Sequence, residues 1–171
     1  MTAHSKRVQV FKVLFETEFH EIPDMERQCE LFFDTVGVSD ELEEVRREIY
    51  RLEKQRGTKG VRALLDDCYD REKELIEKDK ESQDETLQRV SSIMELLPEI
   101  DRVLSEKTDG WDLDRMGKVE LTILRLATYE ILYDDSIDTA VSINEAVEIA
   151  KEYGAEESYS FVNGVLAKIA G

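Results

Sequence analysis

Apolar residues recur at intervals of three and four positions along most of this 171-residue chain, which is the spacing of one face of an α-helix. No stretch shows the apolar–polar alternation that is typical of a half-buried strand. The first apolar face runs from Val8 to Phe19, and Ser5 stands where an N-cap residue is expected. A second apolar segment follows Pro23 and ends at Gly37. The pattern therefore predicts an all-α protein.

The next part of the chain combines helical spacing with dense charge. Ser39 and Asp40 are expected to cap a helix, and QRGTKG at residues 55–60 is typical of a turn. The apolar positions on either side of that turn are Leu42, Val45, Ile49, Leu52, Val61, Leu64, Leu65, Cys68, Leu75 and Ile76. Two amphipathic helices joined by a short turn predict an acidic helical hairpin over about residues 37–80.

Apolar spacing continues after the hairpin. One face lies between residues 87 and 97, and another continues past Pro98 to a break at TDGW. In KVELTILRLATYEILYD, residues 118–134, apolar side chains nearly encircle the helix axis. A helix that is apolar all round is a central, buried one. With the helices before and after it, the pattern predicts about seven or eight helices.

The last two segments raise a question about glycine. Residues 143–153 form one apolar face, and Gly154 is its expected C-cap. The final segment has Asn163 and Gly164, a pair typical of tight turns, within a helical pattern. Glycine costs about 1 kcal/mol relative to alanine inside a helix. We expect Gly164 to permit a close crossing with the central helix, and Asn144 and Asn163 to form hydrogen bonds at helix crossings.

Composition indicates a folded protein with a single domain. Hydrophobic residues make up 41% of the chain, and only two prolines interrupt it. No apolar run approaches the roughly 18 residues of a membrane span, and the N-terminus lacks the pattern of a signal peptide. Cys29 and Cys68 are expected to be free thiols, as in a reducing compartment. We expect a cytoplasmic protein with no membrane partner.

Charge limits the partners that the chain can bind by itself. Its 40 acidic and 23 basic residues give a net charge of −17, and the acidic residues are concentrated in the middle of the chain. Nucleic acids are bound mainly through Lys and Arg, so this surface as a whole repels them. Residues 1–20 are an exception, since they are close to neutral.

No arrangement of residues indicates catalysis. His4 and His20 have no nucleophile at a recognisable spacing, and the sequence contains no glycine-rich phosphate loop. Glu145, Glu148 and Glu152 share a helix face, but no Glu-x-x-His motif accompanies them, and solvent-facing glutamates are far commoner than a carboxylate metal site. We expect no catalytic residues, no metal site, no cofactor and no enzyme activity.

Three ordered motifs carry a resemblance to a known family. They are RMGKVELTILRLATYE, VSINEAVEIAKEYG and SFVNGVLAKIA, which lie within the last 60 residues or so. In order and spacing they resemble the NusB family of transcription antitermination factors. The first helix, RVQVFKVLFETEF, resembles the N-terminal helix of that family more loosely. The acidic hairpin at residues 37–80 is taken as an insertion or as a lineage elaboration of the N-terminal half.

The resemblance implies a fold and a function. The fold is a single NusB-like domain of two small packed helical bundles, with an N-terminal subdomain at residues 1–106 that includes the hairpin and a C-terminal subdomain at residues 107–171. The function is that of a non-catalytic adaptor, which pairs with the ribosomal small-subunit protein NusE. The pair binds the single-stranded boxA element of nascent ribosomal RNA, and the RNA polymerase antitermination complex then reads through terminators.

The resemblance also implies site residues. Positions near RNA in the family correspond here to Lys6, Arg7, Tyr153, Glu157 and Phe161, and positions that grip NusE correspond to Phe15 and Glu120. Ordinary core packing stays an alternative for Tyr153 and Phe161. Where family members carry further arginines, this chain has Ala3, His4 and Ser5. We therefore expect weak binding of boxA by the chain alone and tighter binding with NusE.

Two other functions stay open at this point. One is the RNA-binding accessory domain of ribosomal RNA methyltransferases, which is related in fold but needs a catalytic domain with a glycine-rich cofactor loop. The other is a helical protein-interaction adaptor that kept the scaffold and lost RNA binding, which the few basic residues near the N-terminus favour. The resemblance also leaves a homodimer open, because some members of the family are dimeric.

Overall fold

The computed structural model describes residues 2–19, 32–33, 39–108 and 112–171. These residues form helices and contain no strand, so the predicted all-α class is confirmed. The helices are α1 (Ala3–Glu16), α2 (Asp40–Glu53), α3 (Val61–Glu95), α4 (Leu97–Lys107), α5 (Lys118–Tyr133), α6 (Thr139–Tyr153) and α7 (Ser158–Ala170), with a 3-10 turn at Leu113–Arg115. None of these described helices is long and apolar enough to cross a bilayer. Most of the segment predicted after Pro23, with Cys29 and His20, lies outside the described residues.

Two compact units are present along the chain. One consists of Met1–Gln28 and Thr86–Gly171, and the other of Cys29–Glu85. Helix α3 belongs to the second unit up to Glu85 and to the first from Thr86 onward. The subdomain boundary expected near residue 106 stays a prediction.

The second unit contains the hairpin that the sequence predicts. The Ser39 side chain accepts a hydrogen bond from the backbone amide of Leu42, 3.4 Å away, which confirms Ser39 as the N-cap of α2. The apolar faces of α2 and α3 meet in two adjoining clusters, Leu42–Val45–Leu75 and Leu52–Val61–Leu65, with Ile49 packed against both. Cys68 is a half-buried free thiol beside the second cluster. Most of the apolar positions read from the sequence thus hold the hairpin. Leu64 and Ile76, which were predicted on the same face of α3, are exceptions, since they are 55% and 44% exposed.

Helix α5 lies at the centre of the first unit and contacts α1, α4, α6 and α7. Its buried residues face all directions: Leu121, Thr122, Ile123, Leu124, Leu126, Ala127, Thr128 and Glu130. The prediction of a central helix is therefore confirmed.

Local expectations about the helix ends and bounds need two corrections. The N-cap of α1 is Thr2 rather than Ser5, since the Thr2 hydroxyl accepts the Ser5 backbone amide at 3.1 Å. The apolar segments read separately at residues 61–76 and 87–97 are joined in the 35-residue helix α3, and α4 begins at Leu97, with Pro98 in its first turn. Proline is tolerated there because the amides of the first turn have no partner within the helix.

The expectation for Gly164 is wrong. Gly164 is exposed on α7, and a Cβ atom added to it would meet nothing within 4 Å. Asn163 beside it is exposed as well. The buried face of α7 consists of Ser158, Val162, Val165, Leu166 and Ile169, so the glycine points away from the crossing with α5.

Candidate functional site

A groove lies between the N-terminal ends of α5 and α7. Its volume is about 620 Å³, and its lining consists of Met116, Gly117, Glu120, Ala155, Glu157, Ser158, Ser160 and Phe161. Neither helix has a side-chain N-cap, because Gly117 precedes α5 and Glu157 precedes α7 without a capping hydrogen bond. The Ser158 hydroxyl instead donates a hydrogen bond to Glu120 and so joins the two helix ends. Carboxylates accept hydrogen bonds and repel phosphate, so the groove suits groups that carry donors.

The turn that leads into the groove requires a residue without a side chain at position 154. A Cβ atom on Gly154 would lie 2.6 Å from both the Ala150 carbonyl oxygen and the Ser158 Cβ. The Gly154 amide donates to that carbonyl at 2.9 Å, which confirms Gly154 as the C-cap of α6. The φ angle of Gly154 is −91°, so close approach rather than backbone conformation selects glycine. The result is that Ser158 begins α7 directly beside the end of α6.

A row of aromatic rings follows α1 and ends at the last residue of α6. The ring centroids are 5.0 Å apart for Phe19 and Phe15, 6.0 Å for Phe15 and Phe11, and 5.2 Å for Phe11 and Tyr153. The Lys12 ammonium lies 5.4 Å from the centre of the Tyr153 ring. Burial raises the pKa of Tyr153, so the phenol stays neutral at physiological pH. Phe15 and Tyr153 therefore belong to one aromatic row.

The structure places Arg7 in a buried ion-pair network. Its Nε donates to both carboxylate oxygens of Glu130 at 3.0 Å, and the Glu130 side chain is 2% exposed. Arg89 and Ser142 donate to the same carboxylate at 3.2 and 2.8 Å. The network links α1, α3, α5 and α6. Since the Arg7 guanidinium is directed into the fold, this geometry gives the residue a structural role, and its contact with RNA stays a prediction.

The start of α1 presents the other basic positions. Lys6 is exposed. His4 Nδ1 lies 2.8 Å from Glu145 Oε2, and His4 Nε2 lies 3.8 Å from Glu152 Oε2. The described residues contain no cluster of three or more groups suited to a metal ion. Glu145 and Glu152, two of the three glutamates on one side of α6, thus lie near the His4 imidazole.

Six of the seven residues assigned by family resemblance fall into three places, and the seventh, Lys6, is exposed at the start of α1. Glu120, Glu157 and Phe161 line the groove, although the first was assigned to the protein partner and the others to RNA. Phe15 and Tyr153 share the aromatic row, and the Arg7 side chain is engaged with Glu130. Residues assigned to the protein partner and residues assigned to RNA therefore lie together, both in the groove and in the aromatic row. The Arg7 side chain lies apart from both places.

Sequence reasoning did not identify Glu130, Arg89 or Lys12. Glu130 carried a signal, because it is an acidic residue within a helix that is apolar all round, and such a residue requires a partner inside the fold. Arg89 and Lys12 lie in amphipathic helices where lysine and arginine are ordinary surface residues. Their roles became visible only when α1 and α3 were placed against α5 and α6.

Comparison with known proteins agrees with the fold. The NusB family model matches residues 43–171. Transcription antitermination protein NusB of Agathobacter rectalis is 40% identical over 170 residues, which cover 99% of this chain and 100% of that protein. The protein of the same name from Lachnoclostridium phytofermentans is 37% identical over 169 residues, 99% of this chain and 98% of that protein.

A solved structure is similar along nearly the whole chain. T. maritima NusB superposes with a TM-score of 0.69 at 30% sequence identity, covering 99% of this chain and 91% of that chain. The family match begins within α2, and the two bacterial relatives extend it over α1. The resemblance read from the three motifs is thereby confirmed. This chain belongs to the NusB family.

Proposed function

We propose that this chain is a cytoplasmic transcription antitermination factor that acts without catalysis, as an RNA-binding adaptor. It pairs with ribosomal protein NusE, and the pair binds boxA of nascent ribosomal RNA within the RNA polymerase antitermination complex. Membership of the NusB family carries the proposal. The groove supports it, because Glu120, Glu157 and Phe161 converge there from two helices.

Charge supports a basic protein as the partner. The chain carries a net charge of −17, and ribosomal proteins are typically basic, so the field attracts and orients such a partner. The half-buried residues Glu120 and Phe15 supply a carboxylate and an aromatic ring. These are suited to a lysine or arginine and to an apolar side chain of NusE.

The same charge makes RNA binding dependent on the partner. Affinity for a nucleic acid strand rises with the number of lysines and arginines that neutralise phosphates. Ala3, His4 and Ser5 provide no strong cation, and the Arg7 guanidinium is paired with Glu130. NusE therefore completes the positive surface, and RNA contacts on this chain come from Lys6 and the aromatic residues Tyr153 and Phe161.

The proposal is tested by titrating labelled boxA RNA with the chain, first alone and then with saturating NusE, at one salt concentration. We expect affinity to rise by about tenfold or more with NusE, equivalent to about 1.4 kcal/mol. A scrambled RNA of the same length is the control and should bind weakly in both series. Equal boxA affinity with and without NusE contradicts the proposal.

A second function, a protein-interaction adaptor without RNA binding, has one specific observation in its favour. Arg7 is the only arginine among residues 1–10, and its guanidinium contacts Glu130 in the interior. This function keeps the NusE interaction and drops the nucleic acid. A pull-down with NusE, followed by a mobility shift that compares boxA with scrambled RNA, separates the two functions.

A further inference from the structure

An exposed aromatic ring lies near the start of α7, outside the groove. Tyr159 is the second residue of α7, and 43% of its surface is exposed. Its neighbours two positions away on each side, Glu157 and Phe161, both line the groove. Side chains two positions apart on a helix point in nearly opposite directions, so Tyr159 lies on the face of α7 that is turned away from the groove.

A lysine accompanies this ring. The Lys151 ammonium, in the last turn of α6, lies 5.9 Å from the centre of the Tyr159 ring. Lys151 also donates to Glu148 at 2.7 Å, and about half of each side chain is exposed. Exposed ion pairs of this kind contribute about 0–1 kcal/mol, so Lys151 is free to exchange Glu148 for another anion.

The ring and the ammonium match the two parts of a nucleotide. Aromatic side chains stack on unpaired bases of any sequence, and lysines neutralise the adjoining phosphates. A second lysine–tyrosine pair, Lys12 and Tyr153, lies at the other end of the short turn that joins α6 to α7. Each pair offers a ring and a cation, which suit the base and the phosphate of a single strand of nucleic acid, whereas an acidic protein has no bases to stack. Because the chain as a whole carries a net charge of −17, these pairs are local exceptions on its surface.

We propose that Tyr159 and Lys151 form a stacking site for one nucleotide of single-stranded RNA, in which the base stacks on the tyrosine ring and its phosphate replaces Glu148 on the lysine. This inference rests on the proposed function and deepens it by naming a contact outside the residues that the family resemblance assigns. The site adds affinity without choosing the base, because every base offers a face for stacking.

The ring is tested by titrating boxA RNA with the chain and saturating NusE. Tyr159→Ala should weaken RNA binding by about 5- to 150-fold, equivalent to about 1–3 kcal/mol, whereas Tyr159→Phe should stay within about twofold because it keeps the ring. Tyr133→Ala is the matched control, since Tyr133 is a tyrosine of equal exposure, 42%, at the far end of α5. It should bind RNA like the unchanged chain.

The role of the Lys151 ammonium is tested by measuring how RNA affinity depends on salt concentration in the same titration. Lys151→Gln should reduce the slope of log affinity against log salt by about 0.7, the value for one phosphate contact on a single strand. Glu148→Gln releases Lys151 and should strengthen RNA binding. Glu99→Gln is its control, because Glu99 forms a similarly exposed pair with Arg102 on α4, and it should have a smaller effect.

Each outcome supports or overturns the inference. A Tyr159→Ala variant that melts like the unchanged chain, binds NusE normally and binds RNA normally overturns it. Loss of NusE binding in that variant also overturns it and assigns the surface to the protein partner. If the unchanged chain with NusE does not bind boxA at all, the proposed function itself fails. A failure seen only in the Tyr159 variants concerns the stacking site and leaves the proposed function standing.

Discussion

At the scale of single residues, Gly164 shows that a glycine in a helix need not mark a crossing. Its Cβ position is open, so Gly164→Ala should stabilise the fold by about 1 kcal/mol through helix propensity. For a chain of this length that raises the melting temperature by about 2–4 °C, measurable by circular dichroism. Gly154→Ala is the control and should lower it, because its Cβ would clash with Ala150 and Ser158. A lower melting temperature for Gly164→Ala contradicts this assignment.

Arg7 and Lys6 are neighbours with different expected roles. Arg7→Gln removes one of the two arginines that pair with the buried Glu130 carboxylate. Because Arg89 and Ser142 still donate to that carboxylate, we expect a loss of about 1.5–3 kcal/mol, the value for hydrogen bonds to a charged group. Lys6→Gln changes an exposed side chain, whose surface interactions contribute about 0–1 kcal/mol, so it should alter the free energy of unfolding by no more than about 1 kcal/mol. Urea denaturation of both variants measures the difference. Equal, small effects would mean that the Arg7–Glu130 pair does not hold α1 in place.

At the scale of elements, the α2–α3 hairpin depends on few apolar contacts. Leu42 is 1% exposed and packs with Val45 and Leu75, so Leu42→Ala should destabilise the hairpin by about 2–5 kcal/mol. Hydrogen exchange at the α2 amides should accelerate accordingly. Leu64→Ala, on the exposed side of α3, is the control and should leave exchange nearly unchanged. Similar exchange rates in both variants would mean that the apolar contacts between α2 and α3 contribute little to the stability of the hairpin.

The elements also show where local pattern is sufficient. Helical spacing is a local property, so the spacing of apolar residues was sufficient to predict the hairpin and the central helix α5. The sequence pattern did not predict that α3 is one continuous helix. Residues 77–86, EKDKESQDET, are almost entirely polar and so show no apolar spacing. Glutamate, lysine and glutamine are nonetheless good helix formers, so the helix continues through them.

At the scale of the whole molecule, the net charge of −17 governs encounter with the proposed partner. Long-range attraction between opposite charges raises association rates and is screened by salt. The association rate constant with NusE should fall by about tenfold between roughly 10 and 150 mM salt, with a much smaller change in the dissociation rate. Stopped-flow mixing measures both, and an association rate independent of salt contradicts electrostatic steering.

The sequence by itself determined the all-α class, the hairpin, the buried central helix and the family, because periodicity and ordered motifs lie along the chain. Only the tertiary structure decided that Gly164 is open, that Arg7 binds Glu130, and that Glu120, Glu157 and Phe161 share one groove. These facts depend on which helix faces approach each other. Spacing within one helix shows which residues share a face, but the partner of that face is set by packing between helices distant in sequence.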